Sequence, residues 1–191
     1  MRRLPLFPLQ SVLFPGGRLT LKVFEQRYID LTKACLAHDQ PFGICAIKEG
    51  REVGETAVPY SVGTLARIVE WDMPETGIFQ LRVEGGARFV IRRLREEKNR
   101  LLVAEAEDIG GERAQPIPAE LRLTVEVIRR IMETLEGAYW GPERHFDDAA
   151  WVGYRLAEAL PLKLSAKQSL LEMNDSIARL NLLQQFLRRQ A

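Results

Sequence analysis

The stretch Val62-Gly63-Thr64-Leu65-Ala66-Arg67-Ile68-Val69-Glu70-Trp71 is followed, after Asp72-Met73-Pro74-Glu75-Thr76-Gly77, by Ile78-Phe79-Gln80-Leu81-Arg82-Val83. Leu65, Arg67, Val69 and Trp71 alternate with Thr64, Ala66, Ile68 and Glu70, and Phe79, Leu81 and Val83 alternate with Ile78, Gln80 and Arg82. A period of two sends successive side chains to opposite faces of an extended chain, so both runs read as strands. The segment between them, punctuated by Pro74 and Gly77, predicts a hairpin loop.

The same grammar continues on both sides. Leu19, Leu21 and Val23 alternate with Arg18, Thr20 and Lys22, after the turn Pro15-Gly16-Gly17. Residues 24–37 predict one helix, with Tyr28, Leu31 and Cys35 on one stripe, and residues 42–47 a short buried strand. Residues 89–94 and 101–106 predict an antiparallel pair joined across Lys98-Asn99. Many short strands with small turns argue for a barrel or sandwich.

The period changes near residue 115. Gln115-Pro116-Ile117-Pro118 reads as a linker into a helix carrying Leu121, Val125, Ile128, Met132 and Leu135 and stopped by Gly137. Asp147 or Asp148 is placed to cap a helix running through Leu160. Ser165-Ala166-Lys167-Gln168 has capping-box spacing, and Asn174-Asp175 separates that helix from a last one marked by Ile177, Leu180 and Leu187. The expected class is therefore α+β: residues 1–115 form an antiparallel β barrel or sandwich with one inserted helix, and residues 116–191 form a helical bundle.

Composition narrows the function. The chain has 191 residues, 46% hydrophobic and 28% charged, enough for a large core without metal or disulfide. With 27 Lys+Arg against 26 Asp+Glu the net charge is +1, so no global basic field exists to hold a nucleic-acid backbone. The prolines and Gln10 near the N-terminus break any signal-peptide core, and no apolar run reaches membrane-spanning length. Two cysteines, Cys35 and Cys45, suit a reducing cytoplasm, the expected location.

Few residue patterns carry chemistry. Cys35 and His38 share a helical face and Cys45 could add a third ligand, but a structural zinc site needs four. A core cysteine and a helix-end histidine account for them, and no metal or other cofactor is expected. With two histidines, no G-x-S-x-G elbow and adjacent carboxylates that fit turns and caps, no catalytic residue is assigned. Arg88, Arg92, Arg93, Arg95, Lys98 and Arg100 form a basic run. Strand alternation puts Arg88 and Arg92 on one face and Arg93 and Arg95 on the other, with Glu96-Glu97 beside them, so a solvated edge is the stronger reading.

Leu4-Pro5-Leu6-Phe7-Pro8-Leu9 with Val12-Leu13-Phe14-Pro15-Gly16, then Glu25-Gln26-Arg27-Tyr28, Val62-Gly63-Thr64-Leu65-Ala66-Arg67-Ile68 and Val83-Glu84-Gly85-Gly86-Ala87-Arg88-Phe89, occur in the order found in Lon-protease N-terminal domains. The segment 156–164, then Lys167-Gln168-Ser169-Leu170-Leu171-Glu172 and Arg179, resembles the helical ending of that family. The resemblance implies a PUA-like β domain followed by helices, and a role in holding unfolded or tagged protein substrates. No G-x-x-x-x-G-K-[ST] phosphate loop occurs, and the length leaves no room for a peptidase domain, so the expectation is a stand-alone, non-catalytic polypeptide-recognition module, an adaptor or quality-control factor. The alternative is a PUA-like RNA-binding module using the basic run, an inference from fold analogy alone. Loop aromatics and a loop methionine, Tyr139, Trp140, Phe146 and Met73, are the candidate polypeptide-binding residues. Trp71 is assigned instead to packing between the two halves.

Overall fold

The structure is a computed structural model that describes residues 1–54, 57–135 and 140–190. The chain divides into two units, Met1–Gly110 and Gly111–Ala191. The first contains β1 (Arg2–Leu9), β2 (Arg18–Val23), α1 (Gln26–His38), β3 (Phe42–Glu49), β4 (Val58–Pro59), β5 (Val62–Glu75), β6 (Ile78–Glu96) and β7 (Leu102–Asp108).

Five pairings close a ring: β1 with β7, β7 with β6, β6 with β5, β5 with β3, and β3 with β1. All are antiparallel except the last, where Leu6 to Leu9 run parallel to Gly43 to Ala46. The sequence reading expects a mainly antiparallel domain and names no parallel pair. A parallel neighbour requires a crossover, and β2 with α1 supplies it. Closure leaves the ring of these five strands without a terminal strand. β4 pairs with β3, and β2 pairs with β6 along its whole length.

Strands with two covered faces separate two apolar clusters. Leu4, Leu6, Cys45, Phe89, Leu102, Ala104 and Ala106 form one. Gly43 and Gly63 make room there: a Cβ on either would lie 2.7 Å from the tip of the Phe89 ring. On the other face Phe7, Leu21, Val23, Phe42, Ile44, Phe79, Leu81 and Val83 pack with Tyr28, Ile29, Leu31 and Cys35 of α1.

The hairpin expected at residues 72–77 is tighter than its sequence suggests. β5 runs on to Glu75, and only Thr76 and Gly77 turn the chain, with Gly77 at φ 83°. A bulge between Asp72 and Glu75 absorbs Pro74. β5 meets β3 only from Thr64 to Ala66, so the missing Pro74 donor breaks no second ladder.

The second unit contains a short 3-10 turn (Ala119–Leu121), α2 (Arg122–Thr134), α3 (Ala149–Ala159), α4 (Leu164–Glu172) and α5 (Ser176–Gln190). Asp148 caps α3, accepting from Ala150 N at 3.1 Å and Gln115 N at 3.2 Å. The expected capping box at Ser165 is not made. The cap falls two residues earlier, at Lys163, with no side-chain cap bond, while Gln168 is buried and donates to Glu172 at 2.8 Å. Burial of the Gln168 side chain wins over the terminal bond. Gly137, the expected stop of α2, lies outside the described residues.

Candidate functional site

β2 alternates Leu19, Leu21 and Val23 toward the core with Thr20 and Lys22 away from it, and its ladder to β6 is continuous from Arg18 to Val23. No other strand pairs with it among the described residues. A groove of about 330 Å³ opens along it, lined by every residue from 19 to 25, by Phe7 and Leu9 of β1, by Tyr28 of α1, and by Ser11, Glu52 and Val53.

The floor of this groove is apolar and aromatic. Phe7 and Tyr28 stack with ring centroids 4.0 Å apart and planes 20° apart. Arg27 lies 4.7 Å from the Tyr28 ring and donates to Glu25 at 3.0 Å and to the Arg100 carbonyl at 2.9 Å. Burial holds the Tyr28 hydroxyl up at about 12, with Arg27 opposing and Glu25 and Glu52 adding to the shift, so the hydroxyl remains neutral. Glu25 and Glu52 therefore both act on the Tyr28 part of the groove; Glu52 also accepts from the Gln10 backbone amide. At the rim, Phe24 is 48% exposed and Val53 53%. The sequence reading puts Phe24 at the start of the helix, but α1 begins at Gln26 and leaves it in the connection.

A second apolar surface lies on the β5–β6 arm. Register pairs Trp71 with Leu81, and the Trp71 ring leans on Phe79 at 5.9 Å. Trp71 is nevertheless 55% exposed and Met73 42%. Trp71 was expected to pack the two halves together; its ring contact is within its own arm.

The other sequence candidates fall in the second unit. Tyr139 lies outside the described residues. Trp140 is 3% exposed, and a ring already covered offers no contact area, so the expectation of a surface anchor is corrected to packing. Phe146 is half-buried, with the Arg129 guanidinium 3.8 Å from its ring and Trp151 edge-on at 5.1 Å.

The basic run does not make one cationic face. A bulge between Ile91 and Arg93 breaks the alternation that would put Arg88 with Arg92: Arg88 is buried, whereas Arg92 is exposed and donates to Glu107 at 2.8 Å. Arg93 and Arg100 each have a carboxylate at 3.9 Å, from Glu105 and Glu96. Cys35 and Cys45 fall in different clusters and do not converge. Burial raises both thiols, Cys35 to about 11. No helix among the described residues is long and apolar enough to cross a membrane.

Comparison with known proteins gives a consistent picture. The Lon protease of Anaeromyxobacter dehalogenans is 28% identical over 193 residues, covering 97% of this chain and 23% of that protein. Lon protease of Escherichia coli K12 is 28% identical over 188 residues, covering 94% and 24%. The chain thus spans about a quarter of the length of these relatives. Among solved structures, a Lon N-terminal domain protein from Xanthomonas campestris is 38% identical with a TM-score of 0.81, over 96% of this chain and 97% of that one. The N-terminal domain of the Mycobacterium avium complex Lon protease, at 17% identity and TM-score 0.64 over 95% and 96%, shares the fold. Residues 3–189 match the family described as the ATP-dependent protease La (LON) substrate-binding domain, and this chain belongs to that family.

Proposed function

We propose that this chain is a non-catalytic module that recognises unfolded or tagged polypeptide, or a partner protein, as an adaptor or quality-control factor, and that the groove along β2 is its principal contact surface. The carrying observation is the pair of rim side chains, Phe24 and Val53, about half exposed above an apolar floor in a chain of the substrate-binding family. Exposed apolar groups around a preformed apolar floor favour burial of apolar segments from a partner. Two buried thiols suit the reducing cytoplasm. The RNA-binding alternative has less support, because Arg88 is buried and Arg92, Arg93 and Arg100 each face a carboxylate.

The test uses reduced, carboxymethylated α-lactalbumin, which stays unfolded, as the probe. Wild type should bind it, and a Phe24→Ala/Val53→Ala double variant should bind about tenfold more weakly. The melting temperature should change little, because both side chains are already about half exposed. Equal binding by the variant would remove the groove from the assignment.

A further inference from the structure

One wall of the groove along β2 is the strand edge that no other strand pairs among the described residues. Residues of both parities, those facing the core and those facing solvent, line it without a gap from 19 to 25. A cavity touching only one face of a strand would be lined by alternate residues. Lining by all of them, with residues of β1 and α1 opposite and none of β6, is the pattern of a groove that follows the backbone edge away from the β6 ladder. A strand paired on one side presents N–H and C=O groups on the other, a template for an added strand.

Charge at the groove adds a second constraint. Glu25 and Glu52 line it near Tyr28, against the single Lys22. Arg27 already engages Glu25, so the remaining field there is set by Glu52 and favours a basic side chain in the occupant.

Resting on the polypeptide-binding reading above, we propose that the occupant is an extended segment that adds as a strand to the free edge of β2, with apolar residues at alternate positions and a basic residue beside Glu25 and Glu52. One face of the segment covers the Phe7–Tyr28 floor. Its main chain supplies affinity independent of sequence, and the apolar period and the charge supply selectivity.

The probe is a fluorescein-labelled peptide of alternating Val and Thr with Lys at both ends. In an extended peptide successive N–H groups point to opposite sides, so only one alternate set can face β2. Two further peptides carry N-methyl groups on one set or the other, and a fourth replaces both Lys by Glu. We expect the parent to bind and one methylated peptide to weaken at least tenfold while the other binds as the parent does. The Glu-ended peptide should bind several-fold more weakly, and Glu52→Gln should shrink that difference. Binding of the parent should slow hydrogen exchange of backbone amides in residues 18–23. If both methylated peptides bind like the parent, or exchange slows elsewhere and not in β2, strand addition is wrong while groove binding stands. If the Glu-ended peptide binds as well as the parent, the basic preference is wrong. If no peptide binds, strand addition is wrong, and binding of carboxymethylated α-lactalbumin decides the polypeptide-binding reading separately.

Discussion

Arg179 holds Glu112 through two hydrogen bonds, at 3.0 and 2.6 Å, with the arginine side chain fully buried. The same guanidinium donates to the carbonyls of Leu170 at 3.0 Å and Met173 at 2.6 Å, and lies 4.2 Å from the Tyr154 ring. Tyr154 in turn donates to Glu112. One cation therefore ties α5 to the end of α4, to α3, and to the segment before α2. Gly153 leaves the space: a Cβ there would lie 3.1 Å from Arg179 Cδ.

Removing one partner of such a pair strands the other charge in the interior. Arg179→Met should destabilise the protein by about 3–5 kcal/mol. A double variant, Arg179→Met with Glu112→Leu, should recover part of that loss, because no buried charge remains. Urea denaturation of the three proteins checks this; equal midpoints for wild type and Arg179→Met would contradict the role assigned to the pair.

Trp140 is buried. Truncating a buried tryptophan typically costs about 3–5 kcal/mol, so Trp140→Ala should lower the melting temperature by many degrees. Binding of unfolded polypeptide, measured well below the transition, should be unchanged. Preserved melting with lost binding would restore Trp140 as an anchor.

Helices and the hairpin strands were legible because their apolar periods are long and clean, from Val125 to Met132 in α2 and from Phe79 to Val83 in β6. β1 was not read as a strand, because Pro5 and Pro8 argue against one. The structure shows why they are tolerated. β1 pairs with β7 over Arg2 to Pro5 and with β3 over Leu6 to Leu9, so each half has a ladder on one side only. Parallel closure of the ring was equally hidden, since register between β1 and β3 leaves no mark in either segment. The groove escaped for a related reason. Phe24 and Val53 lie in connections with no period, and their exposure depends on where β2 and α1 end. By contrast, aromatic content near a turn pointed to Trp140, and a loop residue proved buried.

A pH effect should come from the second unit. Glu158 accepts from Arg155 Nη2 at 2.9 Å and forms an ion pair with its Nε at 2.7 Å, and Lys167 donates to the Glu158 carbonyl at 2.8 Å. Burial pushes the Glu158 carboxyl up to about 7, against the opposing pull of Arg155 and Lys167. A carboxyl with a raised pKa holds its proton more tightly folded than unfolded. Its contribution is therefore fully present below the ordinary carboxyl range near 4.5 and is lost as pH rises through about 7. Stability measured from pH 5 to 8 should fall for wild type relative to Glu158→Gln, which cannot ionise. Parallel pH profiles for the two proteins would show that Glu158 is ionised throughout that range.

The β5–β6 arm sets the last prediction. Register places Val23 of β2 opposite Phe79, and Trp71 leans on Phe79 from the other side. An apolar row thus crosses three strands, from the strand that borders the groove to the exposed Trp71. Met73 follows two residues on and is also exposed. We propose that these two side chains extend the polypeptide contact beyond the groove. Exposed positions contribute little to folding, so Trp71→Ser and Met73→Ser should each change stability by no more than about 0.5 kcal/mol. If the arm shares the bound chain with the groove, Trp71→Ser should weaken binding of carboxymethylated α-lactalbumin. It should leave affinity for a short peptide that fills the groove alone unchanged, because such a peptide ends before reaching Trp71. Loss of affinity for the long chain but not the short one assigns Trp71 and Met73 to an extended contact. Equal loss for both would mean that Trp71 acts by holding Phe79 beneath the groove, and no loss for either would remove the arm from recognition.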